Sequence, residues 1–140
     1  MSTIKGQCYC GKVKFEFDPP IKFMAHDHCS ICRKVSGSPF TTWVGTFDDK
    51  FRILSGADNL SAFKTTPEAT REFCKTCGSH LFFKSSRWPG EVHVTAGSLT
   101  TEMSDAPQAH VFFSDRVKWI EVNDGLPKYG GKTGLEPLNT

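Results

Sequence analysis

The chain has 140 residues, with 17 basic and 15 acidic side chains and a formal net charge of +2. This length suits a single domain, residues 1–140, that buries its own core and needs no disulfides to fold. Basic residues are spread along the chain, and their densest group is the dipeptide Arg33-Lys34, which argues against a nucleic-acid surface. The start has no apolar run of signal-peptide length, and no stretch suits a membrane span. We therefore expect a cytoplasmic protein that binds neither nucleic acid nor membrane.

The apolar pattern predicts a mainly β protein. Residues 13–17 alternate between apolar and charged side chains, which is typical of a half-buried strand. Residues 30–36 have the pattern of one short helix, and residues 126–140, rich in Gly, Pro and Lys, are predicted to form a loosely ordered tail. Further strands are predicted, in chain order, over residues 40–47, 51–54, 60–64, 70–73, 81–83, 92–95 and 117–122. Chains with many short strands form sandwiches, barrels or folded sheets stapled by metal.

The six cysteines fall into three close pairs: Cys8-x-Cys10, Cys29-x2-Cys32 and Cys74-x2-Cys77. In a reducing compartment such pairs more often hold a metal than form disulfides. Zinc prefers four sulfur or nitrogen ligands in a tetrahedron. Two pairs that meet in the fold would complete one closed thiolate site, and the remaining pair would then belong to a different, incomplete site.

Glycines mark the first and third pairs as zinc-binding turns. Gly6 and Gly11 flank the first pair, and Gly78 follows the third pair directly. Glycine lets the backbone curl so that amide groups face the sulfur atoms and stabilise their charge. We therefore predict a structural zinc site that ties the two ends of the core together, with the ligands Cys8, Cys10, Cys74 and Cys77. The alternative is that these cysteines are simply buried side chains.

The middle pair lies in a segment rich in metal-ligand residues. Asp27 precedes Cys29 by two positions, and in an extended strand such residues project to the same face. A zinc ion held by Asp27, Cys29 and Cys32 would keep its fourth position for water or substrate, which is the pattern of a catalytic site. The alternative is a solvated Asp27 beside a pair that holds no metal, because two sulfurs alone bind zinc weakly.

The remaining histidines and tryptophans carry weaker signals. His26 and His28 are expected to project away from Asp27, as groups that support the site or as surface residues. His93 is expected to be an ordinary strand residue and His80 part of the third cysteine turn, whereas no partner is predicted for His110. The three tryptophans are expected to lie in the core or in a pocket wall: Trp43, Trp88 and Trp119.

Five sequence motifs together are characteristic: Cys8-Tyr9-Cys10-Gly11-Lys12-Val13, His28-Cys29-Ser30-Ile31-Cys32-Arg33-Lys34, Phe73-Cys74-Lys75-Thr76-Cys77-Gly78-Ser79, Pro107-Gln108-Ala109-His110-Val111-Phe112 and Trp119-Ile120-Glu121-Val122-Asn123-Asp124-Gly125-Leu126-Pro127. With these motifs the chain resembles the glutathione-dependent formaldehyde-activating enzyme family, which includes centromere protein V. The resemblance extends roughly over residues 6–129.

The resemblance implies a β-tent fold of short antiparallel strands with two zinc sites. In the family pattern the first and third pairs hold the structural zinc, and the middle motif holds the catalytic zinc. Asp27 stands where that middle motif usually has a cysteine. The implied activity is a carbon–sulfur lyase reaction that joins glutathione to formaldehyde as S-(hydroxymethyl)glutathione, or a related reaction of a small thiol with an aldehyde.

Two other functions stay open. A non-catalytic binding module would keep only the four-cysteine zinc site and use a sheet face for a protein partner. A redox protein would use Cys29 and Cys32 as a reversible dithiol. In the enzyme, Arg33 or Lys34 would pair with a substrate carboxylate; otherwise they are a solvated basic dipeptide.

Overall fold

The structure is a computed structural model that describes residues 2–139, and it is mainly β. Its one α-helix within these residues, α1, spans Ser30–Ser36. The strands are β1 (Ile4–Gln7), β2 (Lys14–Phe17), β3 (Phe23–Asp27), β4 (Thr41–Phe47), β5 (Phe51–Ser55), β6 (Leu60–Thr66), β7 (Ala69–Cys74), β8 (His80–Ser85), β9 (Glu91–Thr95), β10 (His110–Val111), β11 (Tyr129–Gly130) and β12 (Glu136–Pro137). The mainly β class, the short helix and the strands predicted between residues 13 and 95 are confirmed.

The strand predicted over residues 117–122 is wrong. None of the strands within residues 2–139 includes this segment, and Trp119, expected in the core or a pocket wall, is 75% exposed. Alternation shows that one face of a segment could be buried, but a strand also needs a neighbour that pairs with its backbone. The region predicted as a loose tail contains β11 and β12, which pair antiparallel with Tyr129 opposite Pro137.

One compact unit comprises the residues up to Lys22 and Val44–Ser104. In it, β1, β2 and β5 form one sheet in that order, and β9, β8, β7 and β6 follow one another beside the second half of β4. Phe15 of β2 meets Phe82 of β8 edge to face, with ring centroids 4.9 Å apart. Both rings are fully buried, so the inward faces of these two layers form the core of this unit.

The other compact unit comprises Phe23–Trp43 and the residues from Asp105 onward. In it, β10, β3 and the first half of β4 are neighbours in that order. β10 runs parallel to β3, with His110 opposite His26 and Val111 opposite Asp27. Helix α1 starts directly after Cys29 and is capped at its C-terminus by Gly37. Gly37 has a left-handed backbone (φ 72°), and its N–H donates to the carbonyl of Arg33. The assignment of the chain to a single domain stays a prediction.

Within residues 2–139, no helix has the length and apolar character of a membrane span.

Candidate metal centres

Four cysteines of the first unit form one sulfur cluster: Cys8, Cys10, Cys74 and Cys77, whose Sγ atoms all lie within 4.8 Å of one another. The Sγ of Cys10 is 3.6 Å from that of Cys8 and 3.7 Å from that of Cys74. A tetrahedral zinc ion with Zn–S bonds of about 2.3 Å separates its sulfur ligands by about 3.8 Å. All six cysteines are free thiols, so the cluster fits a zinc ion and contains no disulfide.

The two cysteine turns have the glycine geometry that their sequences predict. Gly11 and Gly78 adopt left-handed backbones, with φ of 81° and 78°. The N–H of Gly11 donates to the carbonyl of Cys8, and the N–H of Gly78 donates to the carbonyl of Cys74. These bonds close each turn so that both cysteines of a pair face the same point.

Polar groups beyond the cysteines support this cluster, and the sequence analysis did not identify them. The Asn59 side-chain amide donates to the Sγ of Cys74 at 3.2 Å, and the backbone N–H of Val13 lies 3.3 Å from the Sγ of Cys8. The Ser79 hydroxyl lies 3.1 Å from the Sγ of Cys77 and also accepts from the N–H of Tyr9. Such donors stabilise thiolate charge. Asn59 carries no sequence signal because it lies 15 positions from its cysteine.

The thiols of the cluster differ in acidity when no cation is bound. Burial raises the pKa of Cys8, but the Val13 amide and the neighbouring thiol of Cys10 outweigh it and the net pKa is lowered. A hydrogen bond from the Ser79 side chain is the main cause that lowers the pKa of Cys77 to about 5. The Lys12 amide lowers the pKa of Cys10, but burial and the neighbouring cysteines outweigh it and raise that pKa to about 11. Because like charges oppose joint ionisation, four thiolates here require a cation.

The middle motif forms a second group of metal-ligand residues in the other unit. One potential ligand atom from each of Asp27, Cys29 and Cys32 lies within 4.8 Å of the other two. Asp27 ends β3, and its Oδ1 accepts the N–H of Cys29 at 2.9 Å. Cys32 is buried in the first turn of α1. A carboxylate has two oxygens, so this hydrogen bond is compatible with metal binding through the other one. The donor set of two sulfurs and one oxygen fits zinc with one coordination position left open.

A third group, which the sequence analysis did not assemble, is built from three histidines and an aspartate. Nε2 of His28 lies 2.8 Å from Nδ1 of His110, and Nε2 of His110 lies 2.8 Å from Oδ2 of Asp124. His28 was expected to support the site or to lie on the surface, and the structure shows that it is 0% exposed. His110, for which no partner was predicted, is 1% exposed. The pKa of His28 is lowered to about 4, mainly by burial and further by the neighbouring His110.

The other predicted residues lie outside these groups. His93 is buried in β9, and its Nε2 is 2.9 Å from Oε1 of Glu91, which agrees with an ordinary strand position. His80 begins β8 directly after the third cysteine turn. Trp43 is buried, and Trp88 is partly buried and stacks with the guanidinium of Arg87.

Comparison with known proteins identifies a family and individual relatives of this chain. The sequence profile of the glutathione-dependent formaldehyde-activating enzyme family matches residues 3–115. A Halomonas elongata protein, provisionally named as a glutathione-dependent formaldehyde-activating enzyme, is 28% identical over 126 residues, which are 85% of this chain and 80% of the relative. An uncharacterised lyase of Schizosaccharomyces pombe is 28% identical over 83 residues, 59% of this chain and 58% of the relative.

A solved structure shares the fold. The crystal structure of a Rhodobacter sphaeroides protein superposes with a TM-score of 0.61 at 25% identity, covering 71% of this chain and 91% of that chain. The family match extends over most of the chain and includes all six cysteines and the helix between them. The chain therefore belongs to the glutathione-dependent formaldehyde-activating enzyme family.

Proposed function

We propose that this chain is a zinc-dependent carbon–sulfur lyase that adds a thiol to a small aldehyde or catalyses the reverse reaction. Family membership and a relative that is named as a lyase support this class of reaction. The observation that carries the proposal is the convergence of Asp27, Cys29 and Cys32, which would supply three ligands in place of the four of a closed site. The substrate class follows the family's name: glutathione, or a similar small thiol, with formaldehyde or another small aldehyde.

The two cysteine groups have different roles in this proposal. Cys8, Cys10, Cys74 and Cys77 would hold a structural zinc, since four thiolates leave it no open position. Asp27, Cys29 and Cys32 would hold the catalytic zinc. When bound there, zinc would supply a Lewis acid for the aldehyde oxygen and lower the pKa of a coordinated substrate thiol.

Asp27 has a definite effect on such a site. A carboxylate carries the same charge as a thiolate, but it is a harder ligand that donates less electron density. The backbone N–H of Cys29 holds this carboxylate in place and withdraws further density from it. The site is therefore expected to hold zinc less tightly than three thiolates would and to suit a carbonyl substrate.

We propose that Arg33, which the sequence offered together with Lys34, recognises a substrate carboxylate. It follows Cys32 directly and is half-buried, whereas Lys34 is exposed. Among the described residues, none accepts a hydrogen bond from its buried Nε. A guanidinium binds carboxylates in a fixed planar geometry, and glutathione is a dicarboxylate.

Six free thiols also suit a reducing compartment, so we propose a cytoplasmic reaction without nucleic acid or membrane.

The direct test measures exchange between formaldehyde and S-(hydroxymethyl)glutathione by NMR, with zinc-loaded protein. We expect the wild-type chain to accelerate the exchange. Asp27→Ala should reduce the acceleration at least about tenfold, because removing one of three ligands weakens the site by more than a change to a supporting residue does. Asp105→Ala is the matched control, since Asp105 is exposed and outside the three groups.

Other outcomes would favour the rival functions. Equal rates with Asp27→Ala and wild type, together with no metal in the middle motif, would refute the lyase proposal in favour of a binding module. Reversible air oxidation of Cys29 and Cys32 alone, measured by thiol counting with and without reductant, would favour a redox dithiol.

A further inference from the structure

We propose that His26, His110 and Asp124 form a third, nitrogen-rich binding site for a divalent cation such as zinc. One potential ligand atom from each residue lies within 4.8 Å of the other two. Two imidazoles and a carboxylate are an established donor set for zinc and similar transition metals. The site shares no residue with the two cysteine sites proposed above and goes beyond their chemistry.

The spacing of the two histidine rings is compatible with a shared ion. Their centroids are 4.9 Å apart, and their planes are inclined by 35°. Two imidazoles on one tetrahedral zinc, with Zn–N bonds of about 2.1 Å, have centroids about 5 Å apart. Nε2 of His110 and Oδ2 of Asp124 are 2.8 Å apart, so a small outward movement of the carboxylate would admit the ion in place of the bridging proton.

Each of the three proposed ligand side chains also has a polar contact that fixes its orientation. Nδ1 of His26 is 2.7 Å from the hydroxyl of Thr42, which leaves Nε2 for an ion. Nδ1 of His110 faces Nε2 of His28 at 2.8 Å. Oδ1 of Asp124 accepts the N–H of Leu126 at 3.1 Å, which leaves Oδ2 for the ion. Metal-binding histidines characteristically use the second ring nitrogen in this way, because the hydrogen bond fixes the ring orientation and the tautomer.

The surroundings suit a partly enclosed ion with an entry path. Phe40 meets the His26 ring at 4.8 Å, and Phe113 meets the His110 ring at 5.6 Å, so aromatic rings exclude water from one side. The Asp124 side chain is 40% exposed, so an ion could reach the site from solvent on that side. An ion here would tie the irregular segment that carries Asp124 to β3. Because neighbouring residues of a strand project to opposite faces, His26 and Asp27 serve different sites.

Cobalt titration of metal-stripped protein distinguishes this site from the thiolate sites. Thiolate ligands give Co²⁺ an intense charge-transfer band in the near ultraviolet, whereas nitrogen and oxygen ligands give only weak visible bands. We expect further Co²⁺ to add visible absorption after the charge-transfer band has saturated. Asp124→Asn and His26→Gln should each weaken this last binding step at least about tenfold, while the charge-transfer band stays unchanged.

Asp105→Asn is the matched control, because it makes the same charge change at an exposed position outside the cluster, and it should titrate like wild type. Circular dichroism of each variant checks that it is folded. The proposal is overturned if the visible and charge-transfer bands saturate together, or if Asp124→Asn and His26→Gln both leave the last step unchanged. His28, His110 and Asp124 would then be a hydrogen-bonded row without an ion. Neither result depends on lyase activity.

Discussion

The sulfur atoms of Cys10 and Cys74 lie 3.7 Å apart although 64 positions separate the two residues in the chain. Cys10 belongs to the turn between β1 and β2, and Cys74 is the last residue of β7. The cluster therefore joins two distant parts of one unit at a single point. An ion bound there would stabilise the folded chain, because the unfolded chain has no assembled site for it.

Asn59→Ala should weaken zinc binding at the four-sulfur cluster by about 10- to 100-fold. The Asn59 amide donates both to the Sγ of Cys74 and to the hydroxyl of Thr76 at 3.2 Å, so its loss removes support for the charge on one ligand. Competition with a chelator of known affinity measures the change. Asn139→Ala at an exposed position is the control. Equal affinities for the two variants would contradict the role given to Asn59.

Gly56→Ala should lower the free energy of unfolding by about 2–4 kcal/mol. The backbone of Gly56 is left-handed, which strains an alanine, and no space is left for an added Cβ. Its φ is +80°, and an added Cβ would lie 2.0 Å from the carbonyl oxygen of Lys12, next to the first cysteine turn. Gly97→Ala is the matched control, since its Cβ would meet nothing within 4 Å, and it should change stability by less than about 0.5 kcal/mol. Urea unfolding measures both; a cost at Gly56 no larger than at Gly97 would show that the backbone there is adaptable.

His80→Phe should flatten the acid limb of the stability curve. Burial, helped by the nearby charge of Arg71, lowers the pKa of His80 from 6.5 to about 4. The unfolded chain therefore takes up this proton first, so the stability that the neutral ring provides is complete above about pH 6.5 and is lost as the pH falls toward 4. The full effect of such a shift is about 3 kcal/mol.

Thermal unfolding of wild type and His80→Phe at a series of pH values between 4 and 7 measures this difference. Both proteins have the same cysteines, so comparing the two curves isolates the effect of residue 80. Parallel curves over the whole range would rule out a buried neutral His80 as a source of acid sensitivity.

Asp27→Cys should tighten metal binding at the middle motif about tenfold or more, because a third thiolate is a softer and stronger ligand for zinc or cobalt than a carboxylate. The charge-transfer band of the cobalt-loaded protein should grow, since each thiolate ligand contributes to it. Asp105→Cys adds a thiol at an exposed position and serves as the control. A band that grows equally in both variants, or in neither, would show that residue 27 does not face the ion.

Much of the fold and of the cysteine chemistry could be predicted from local patterns. The alternation over residues 13–17 predicts β2, and the spacing within each cysteine pair predicts the turns at Gly11 and Gly78. Both depend on side-chain periodicity and backbone freedom within a few residues. The same reasoning failed over residues 117–122, because alternation there has no partner strand among the described residues.

The sequence by itself determined which side chains could bind a metal and the local turns that present them, because cysteine spacing and glycine conformations are properties of short segments. Only the tertiary structure decided which distant groups meet. Asn59 reaches Cys74 across a strand pair, and His110 reaches His28 because β10 pairs in parallel with β3. Such contacts depend on strand order and register, and these are set by packing over the whole chain and leave no mark in the local sequence.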